Sequence, residues 1–156
     1  MSQEKTGIRL VQRPEQPTAV VREKVPMGEL PPFFGRAFGA VMAAAQNQAV
    51  QIAGPPFGLY RGMPTDTVDV EAGFPVAAPF TGSEGVAAGI LPACQAFEAT
   101  HTGPYDTLSA TYDAIQARMK EEGFSPADSM WEYYLSDPAR EPDPATWKTL
   151  VVWPVA

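Results

Sequence analysis

A chain of 156 residues is one domain's worth, long enough to bury a core without disulfides or metals. Its 18 acidic residues against 11 basic ones give a net charge of −7, and no Lys/Arg cluster stands out, which argues against direct nucleic-acid binding and permits cationic ligands or basic partner surfaces. No run approaches the ~20 apolar residues of a membrane helix, Met1-Ser2-Gln3-Glu4-Lys5 lacks the apolar core of a secretory signal, and the single cysteine, Cys94, excludes an internal disulfide. The expected location is therefore the cytoplasm.

In chain order, a short strand-like run at Ile8–Gln12 ends at the turn Arg13-Pro14-Glu15-Gln16-Pro17, and a strand follows at Thr18–Arg22. Leu30, Phe33, Phe34, Ala37, Phe38, Val41, Met42, Ala45 and Ala49 recur at three- and four-residue spacing and predict a helix, with Pro31 and Pro32 in its first turn. Gly35 and Gly39, one turn apart within it, predict a close approach of this helix to the sheet. Strands follow at Phe57–Arg61 and Thr67–Ala72, divided by Gly62-Met63-Pro64. A strand at Cys94–His101 leads into a second helix from Pro104 through Tyr105, Leu108, Tyr112, Ile115 and Met119, with Gly123 as its stop. The last strands are Met130–Leu135 and Trp147–Trp153, separated by Asp137–Pro144, too proline-rich for regular structure.

Strand–helix–strand–strand thus occurs twice, over about residues 8–72 and 94–154. The expected class is α+β, a single domain of two such units with pseudo-twofold symmetry. Both helices cover one face of the sheet and leave a ligand groove on the other.

The richest stretch is Met130-Trp131-Glu132-Tyr133-Tyr134-Leu135. Strand parity groups Trp131, Tyr133 and Leu135 on one face and Met130, Glu132 and Tyr134 on the other. The first set suits the helix-covered face, so Glu132 is expected on the open one. A carboxylate among aromatic rings is a receptor for a flat cation, through charge and cation–π attraction; the bland alternative is a solvated glutamate. Asp69 and Glu71 share a face opposite Val68, Val70 and Ala72, and a solvated face is the expectation for them. Tyr60, Tyr105, Phe74, Phe80 and Trp153 are candidate pocket walls, with core packing the alternative for each.

Catalytic signatures are few. One cysteine and one histidine make no zinc cluster, and no phosphate loop, nucleophile elbow or dinucleotide fingerprint is present, so no metal or cofactor is expected. His101 with Ser109 or Ser83 could form part of a triad in composition only; at its strand-to-helix junction it is expected to hydrogen-bond local backbone. Cys94 is expected to be a buried, inert thiol.

Several segments together carry a resemblance: Gly54-Pro55-Pro56-Phe57-Gly58-Leu59-Tyr60, Asp69-Val70-Glu71-Ala72-Gly73-Phe74-Pro75-Val76, Leu91-Pro92-Ala93, His101-Thr102-Gly103-Pro104-Tyr105-Asp106, and Trp131-Glu132-Tyr133-Tyr134 with Asp137-Pro138. In this order, over about residue 6 to the end, they resemble the GyrI-like small-molecule-binding domain, the effector-binding domain also attached to bacterial transcription activators. The resemblance implies the duplicated, SOUL-like fold and a groove for amphipathic or cationic aromatic compounds. It implies that Glu132 meets the cation, with Tyr134, Tyr60 and Tyr105 beside it; Met130, Phe74 and Trp153 complete the candidate set. A helix-turn-helix finds no room in 156 residues, so the expectation is a stand-alone binding domain. Related stand-alone members include hydrolases that open cyclopropane rings, in which Glu132 would serve as general base, and a gyrase inhibitor, which would imply a protein partner.

Overall fold

The computed structural model of the chain describes residues 8–62, 66–82, 85–136 and 140–156. Ser83, Met63-Pro64 and Asp137-Pro138 lie outside the described residues. The fold is α+β, with all named strand pairs antiparallel, and the chain divides into two units: Pro14–Ala93, and Cys94–Ala156 together with Met1–Arg13.

The N-terminal unit holds β2 (Gln16–Pro26), α1 (Leu30–Asn47), β3 (Phe57–Arg61), β4 (Thr67–Pro75) and β5 (Ala87–Leu91), in the sheet order β3-β4-β2-β5. α1 lies against β2 and β4. Its inner stripe, Phe33, Ala37 and Val41, is buried on Val25, Val68, Val70 and Ala72 at one end and on Ala19, Val76, Phe80 and Val86 at the other. Full burial of each large side chain contributes about 1.5–3 kcal/mol. β4 runs antiparallel beside β2, and at Gly73 the two backbones come so close that an added Cβ would stand 2.0 Å from the Ala19 carbonyl oxygen; only glycine fits. Phe80 is core.

Gly35 and Gly39 do not serve a close approach. Both are exposed on the outer side of α1, and an added Cβ would meet nothing within 4 Å. The apolar stripe that packs on the sheet runs through Phe33 and Ala37, and positions 35 and 39 fall on the far side of the 3.6-residue turn.

The C-terminal unit holds β6 (Cys94–Thr102), α2 (Leu108–Glu121), β7 (Ser129–Tyr134) and β8 (Lys148–Pro154), joined by β1 (Arg9–Arg13). Its order is β1-β6-β8-β7, which repeats the N-terminal pattern with β6, β7, β8 and β1 in the places of β2, β3, β4 and β5. α2 lies on β6 and β8, burying Leu108, Ile115 and Met119. Gly123, at φ 80°, ends the helix, and the Phe124 N–H closes it on the Met119 carbonyl at 2.8 Å. α1 ends the same way, Val50 N–H to Ala45 carbonyl at 2.9 Å, but with Ala49 at φ 56°.

Element order groups residues 8–12 with the first unit; the structure pairs β1 with β6 in the other, Arg9 opposite Glu98 and Arg13 opposite Cys94. Glu98 explains the pairing. It is buried on the face away from α2, and both Arg9 and Arg13 bond to its carboxylate, the latter at 2.7 Å. β5, too short and glycine-containing to show in the pattern, has no counterpart among the expected strands.

The face carrying Asp69 and Glu71 is not simply solvated. Glu71 is buried and paired with Arg61, and Asp69 bonds Arg22 at 2.8 Å. The Arg22 hydrogen bond holds the Asp69 carboxyl below its ordinary range.

Candidate functional site

Strand parity groups Met130, Glu132 and Tyr134 as expected, but their face is the one under α2. Glu132 pairs with Val151 and Tyr134 with Thr149 on β8, and on β6 Phe97 faces Trp153, Ala99 faces Val151 and His101 faces Thr149. Phe97 stacks edge-on with Phe124 just beyond α2, and the Tyr112 hydroxyl of α2 donates to Glu132 Oε2. Glu132 is therefore not on the open face. Trp131 and Tyr133, buried on the other side, share that side with Glu98 and Arg13, and Arg13 sits 5.5 Å from the centre of the Tyr133 ring. The inversion has a physical reason: the carboxylate finds hydroxyl donors beneath the helix, while Tyr133 on the other side packs against Arg13, the partner of the buried Glu98.

Glu132 is 1% exposed. Its partners are two tyrosine hydroxyls, Tyr112 on Oε2 and Tyr134 on Oε1, the latter at 3.0 Å. No cationic side chain among the described residues bonds to it. Burial pushes its carboxyl up to about 7, against the opposing hydrogen bond from Tyr134.

Aromatic rings continue outward from this carboxylate. Tyr105 lies 5.9 Å from the Tyr134 ring and 4.9 Å from Trp147, and Tyr112 meets the edge of Trp153 at 6.3 Å. Tyr105 is exposed, so the Tyr134–Tyr105–Trp147 series runs from the buried carboxylate towards solvent. Met130 is buried on the same face. The structure thus brings together Glu132, Tyr134, Tyr105 and Trp153 of the expected set. Tyr60 and Phe74 belong to the N-terminal unit, in a half-buried aromatic cluster with Phe34 and Phe38: Phe34–Tyr60 at 6.5 Å and Phe38–Phe74 at 5.7 Å. Tyr60 lies on β3, which holds in that unit the place β7 holds in the other.

Sequence reasoning missed Tyr112 and Trp147. The signal was available for Tyr112: a tyrosine in an apolar helical stripe brings a hydroxyl that needs an acceptor. His101 meets local backbone as expected, its Nε2 lying 3.2 Å from the Pro104 carbonyl, and adds two threonine hydroxyls. Thr107 Oγ1 donates to the Pro104 carbonyl at 2.9 Å, so it accepts from Nε2 at 2.8 Å, leaving Nδ1 to accept from Thr111 at 2.9 Å. Thr111 ties the ring to α2, and Ser109 is not among its partners. Cys94 is half-buried rather than buried, and burial raises its thiol while Arg13 opposes the shift. No group of three or more metal-ligating side chains occurs among the described residues, and no described helix is long and apolar enough to cross a membrane.

Two antiparallel strand–helix–strand–strand units, each with its helix laid on its own strands, define the class of fold. The chain belongs to the GyrI-like small molecule binding domain family, whose model matches residues 6–156. In structure it is similar to the EcmrR C-terminal domain, at 26% identity and TM-score 0.80, covering 96% of each chain. It also matches EcmrR in its DNA complex, at 22% identity and TM-score 0.80, where it covers 99% of its own length and 60% of that chain. Similar in fold are SAV2435 bound to tetraphenylphosphonium, at 10% identity and TM-score 0.67 with 96% and 93% covered, and a hydrolase from Listeria innocua, at 17% identity and TM-score 0.66 with 99% and 98% covered. Among curated proteins, none matches the chain.

Proposed function

We propose that this domain is a receptor for amphipathic, cationic aromatic small molecules, with Glu132 as the counter-charge. One observation carries the reading: Glu132 is buried among tyrosines and holds no cation of its own among the described residues. An unpaired carboxylate in such a place is costly when ionised, and a ligand cation relieves that cost while aromatic faces add about 0.5–2 kcal/mol each. Tyr134, Tyr105, Trp147 and Trp153 supply those faces. The ligand in the SAV2435 structure, tetraphenylphosphonium, is of this chemical class. The acidic chain favours cations in its surroundings, and a cytoplasmic location suits its single thiol.

Fluorescence titration of wild type and Glu132→Gln with tetraphenylphosphonium and with neutral tetraphenylmethane derivatives of matched shape tests the reading. The expected result is a loss of about 2–5 kcal/mol, the order of magnitude for truncating a desolvated charge pair, confined to the cation. Equal losses for both compounds would remove Glu132 as the receptor.

A second reading, hydrolysis, draws on the carboxyl's titration near neutrality, where a general base works best. Glu132 would take a proton from water as its oxygen bonds to a strained ring carbon. The ring C–C bond breaks in the same step, its electron pair passing into a conjugated carbonyl of the ligand to give an enolate that takes the proton back from Glu132. Mass spectrometry of a cyclopropane-bearing electrophile incubated with wild type and Glu132→Gln decides it: ring-opened product from wild type alone supports hydrolysis, and no product from wild type leaves a binding domain.

A further inference from the structure

Among the described residues, the sheet floor under α2 leaves one buried hydroxyl without a partner. Thr149 is 0% exposed, and its Oγ1 makes no hydrogen bond in the structure. It lies opposite Tyr134 on one side and His101 on the other. Both neighbours bond to other groups: the Tyr134 hydroxyl to Glu132, the His101 ring nitrogens to Thr111, Thr107 and the Pro104 carbonyl. Valine has the same shape and would fill this place without the penalty of a buried, unpaired hydroxyl. Such a group asks for a partner from outside the chain.

Glu132 faces Val151, two residues on from Thr149, so Glu132 and Thr149 are diagonal neighbours on one face, about 7 Å apart. We propose that Thr149 is a second polar anchor of the Glu132 site, and that the ligands taken best are amphipathic cations carrying an ether, hydroxyl or carbonyl oxygen about that distance from the charge. The proposal rests on Glu132 as the cation receptor and adds selection among cations of equal charge and size. A carboxylate reads charge and aromatic walls read flat apolar surface; neither tells an oxygen from a methylene. A site hydroxyl with no other partner does, because a methylene leaves it orphaned.

The test uses 4-phenoxybutyl-trimethylammonium and 5-phenylpentyl-trimethylammonium, which differ by one ether oxygen in place of a methylene. Wild type should prefer the ether by about 5-fold, the worth of one net hydrogen bond. Thr149→Val should abolish the preference by weakening the ether alone, while raising the melting temperature of the ligand-free protein by about 2–4 °C. Thr149→Ser should keep the preference. Equal binding of both compounds to wild type, or a preference that survives Thr149→Val, overturns the proposal. So does a lowered melting temperature in Thr149→Val without any ether preference, which would make the hydroxyl a structural group held by water. Glu132→Gln run in parallel separates the two ideas: if it binds both cations as wild type does, the receptor reading fails, whatever Thr149 does.

Discussion

The Tyr112 hydroxyl donates to Glu132 Oε2, tying the second turn of α2 to β7. This bond fastens the helix to the sheet and supports the charged form of the carboxylate. Tyr112→Phe should therefore lower stability by about 1–2 kcal/mol at pH 8, where Glu132 is ionised, as judged by urea unfolding.

Glu132→Gln should stabilise the ligand-free protein at high pH. Burial lifts the folded carboxyl to about 7 from an ordinary value of 4.5. Between these values the folded state holds a proton that the unfolded state has released, so the wild type loses stability as pH rises through that window, by roughly 3 kcal/mol in all. The variant lacks this slope. Unfolding midpoints of the two proteins should diverge from pH 5 to pH 8 in favour of glutamine, and parallel profiles would contradict the raised carboxyl.

Cation affinity should follow the same proton. Below pH 7 a ligand cation must displace it, so the dissociation constant of tetraphenylphosphonium should rise about tenfold per pH unit on descending from 7 to 5, with one proton released to buffer. Neutral aromatic ligands should show no such slope. Titration calorimetry in buffers of different ionisation enthalpy measures the proton directly.

Much of this is legible in the sequence, and the failures share a cause. Element order and the parity of Met130, Glu132 and Tyr134 follow from periodicity, which backbone geometry imposes locally. Which face the helix covers does not follow. Hydrophobicity argued for Trp131 and Tyr133, yet the helix covers Glu132, because a buried carboxylate is governed by the donors that reach it, here Tyr112 from a segment 20 residues away. The pairing of β1 with β6 was hidden for the same reason: Arg9 and Glu98 are 89 residues apart, and no local pattern announces their ion pair.

Glu98→Ala should destabilise by about 2–3 kcal/mol. Arg13, half-buried with its side chain 26% exposed, would lose its buried partner; Arg9, at 68%, lies largely in solvent and adds little. Hydrogen exchange should show faster opening of β1 than of β2 in the variant.

The helices offer three stabilising changes of known mechanism. Gly35→Ala and Gly39→Ala each remove a glycine from an exposed helical position with space for the methyl, and each should add about 0.5–1 kcal/mol. Ala49→Gly relieves a left-handed residue at φ 56° in a helix-ending turn and should add a similar amount. Thermal unfolding of the single variants checks all three.

The discontinuity of the C-terminal unit also bears on the order in which the protein assembles. As the chain emerges from the ribosome, β1 precedes its partner β6, which begins only at Cys94. All of Pro14–Ala93 is delivered in between, and that contiguous unit has every one of its own strands and its helix to hand. It is therefore free to form early, while β1 waits as an unpaired edge whose closure must span the whole intervening unit. The slow step of folding is then the joining of β1 to β6, two segments that the intervening unit holds far apart in sequence.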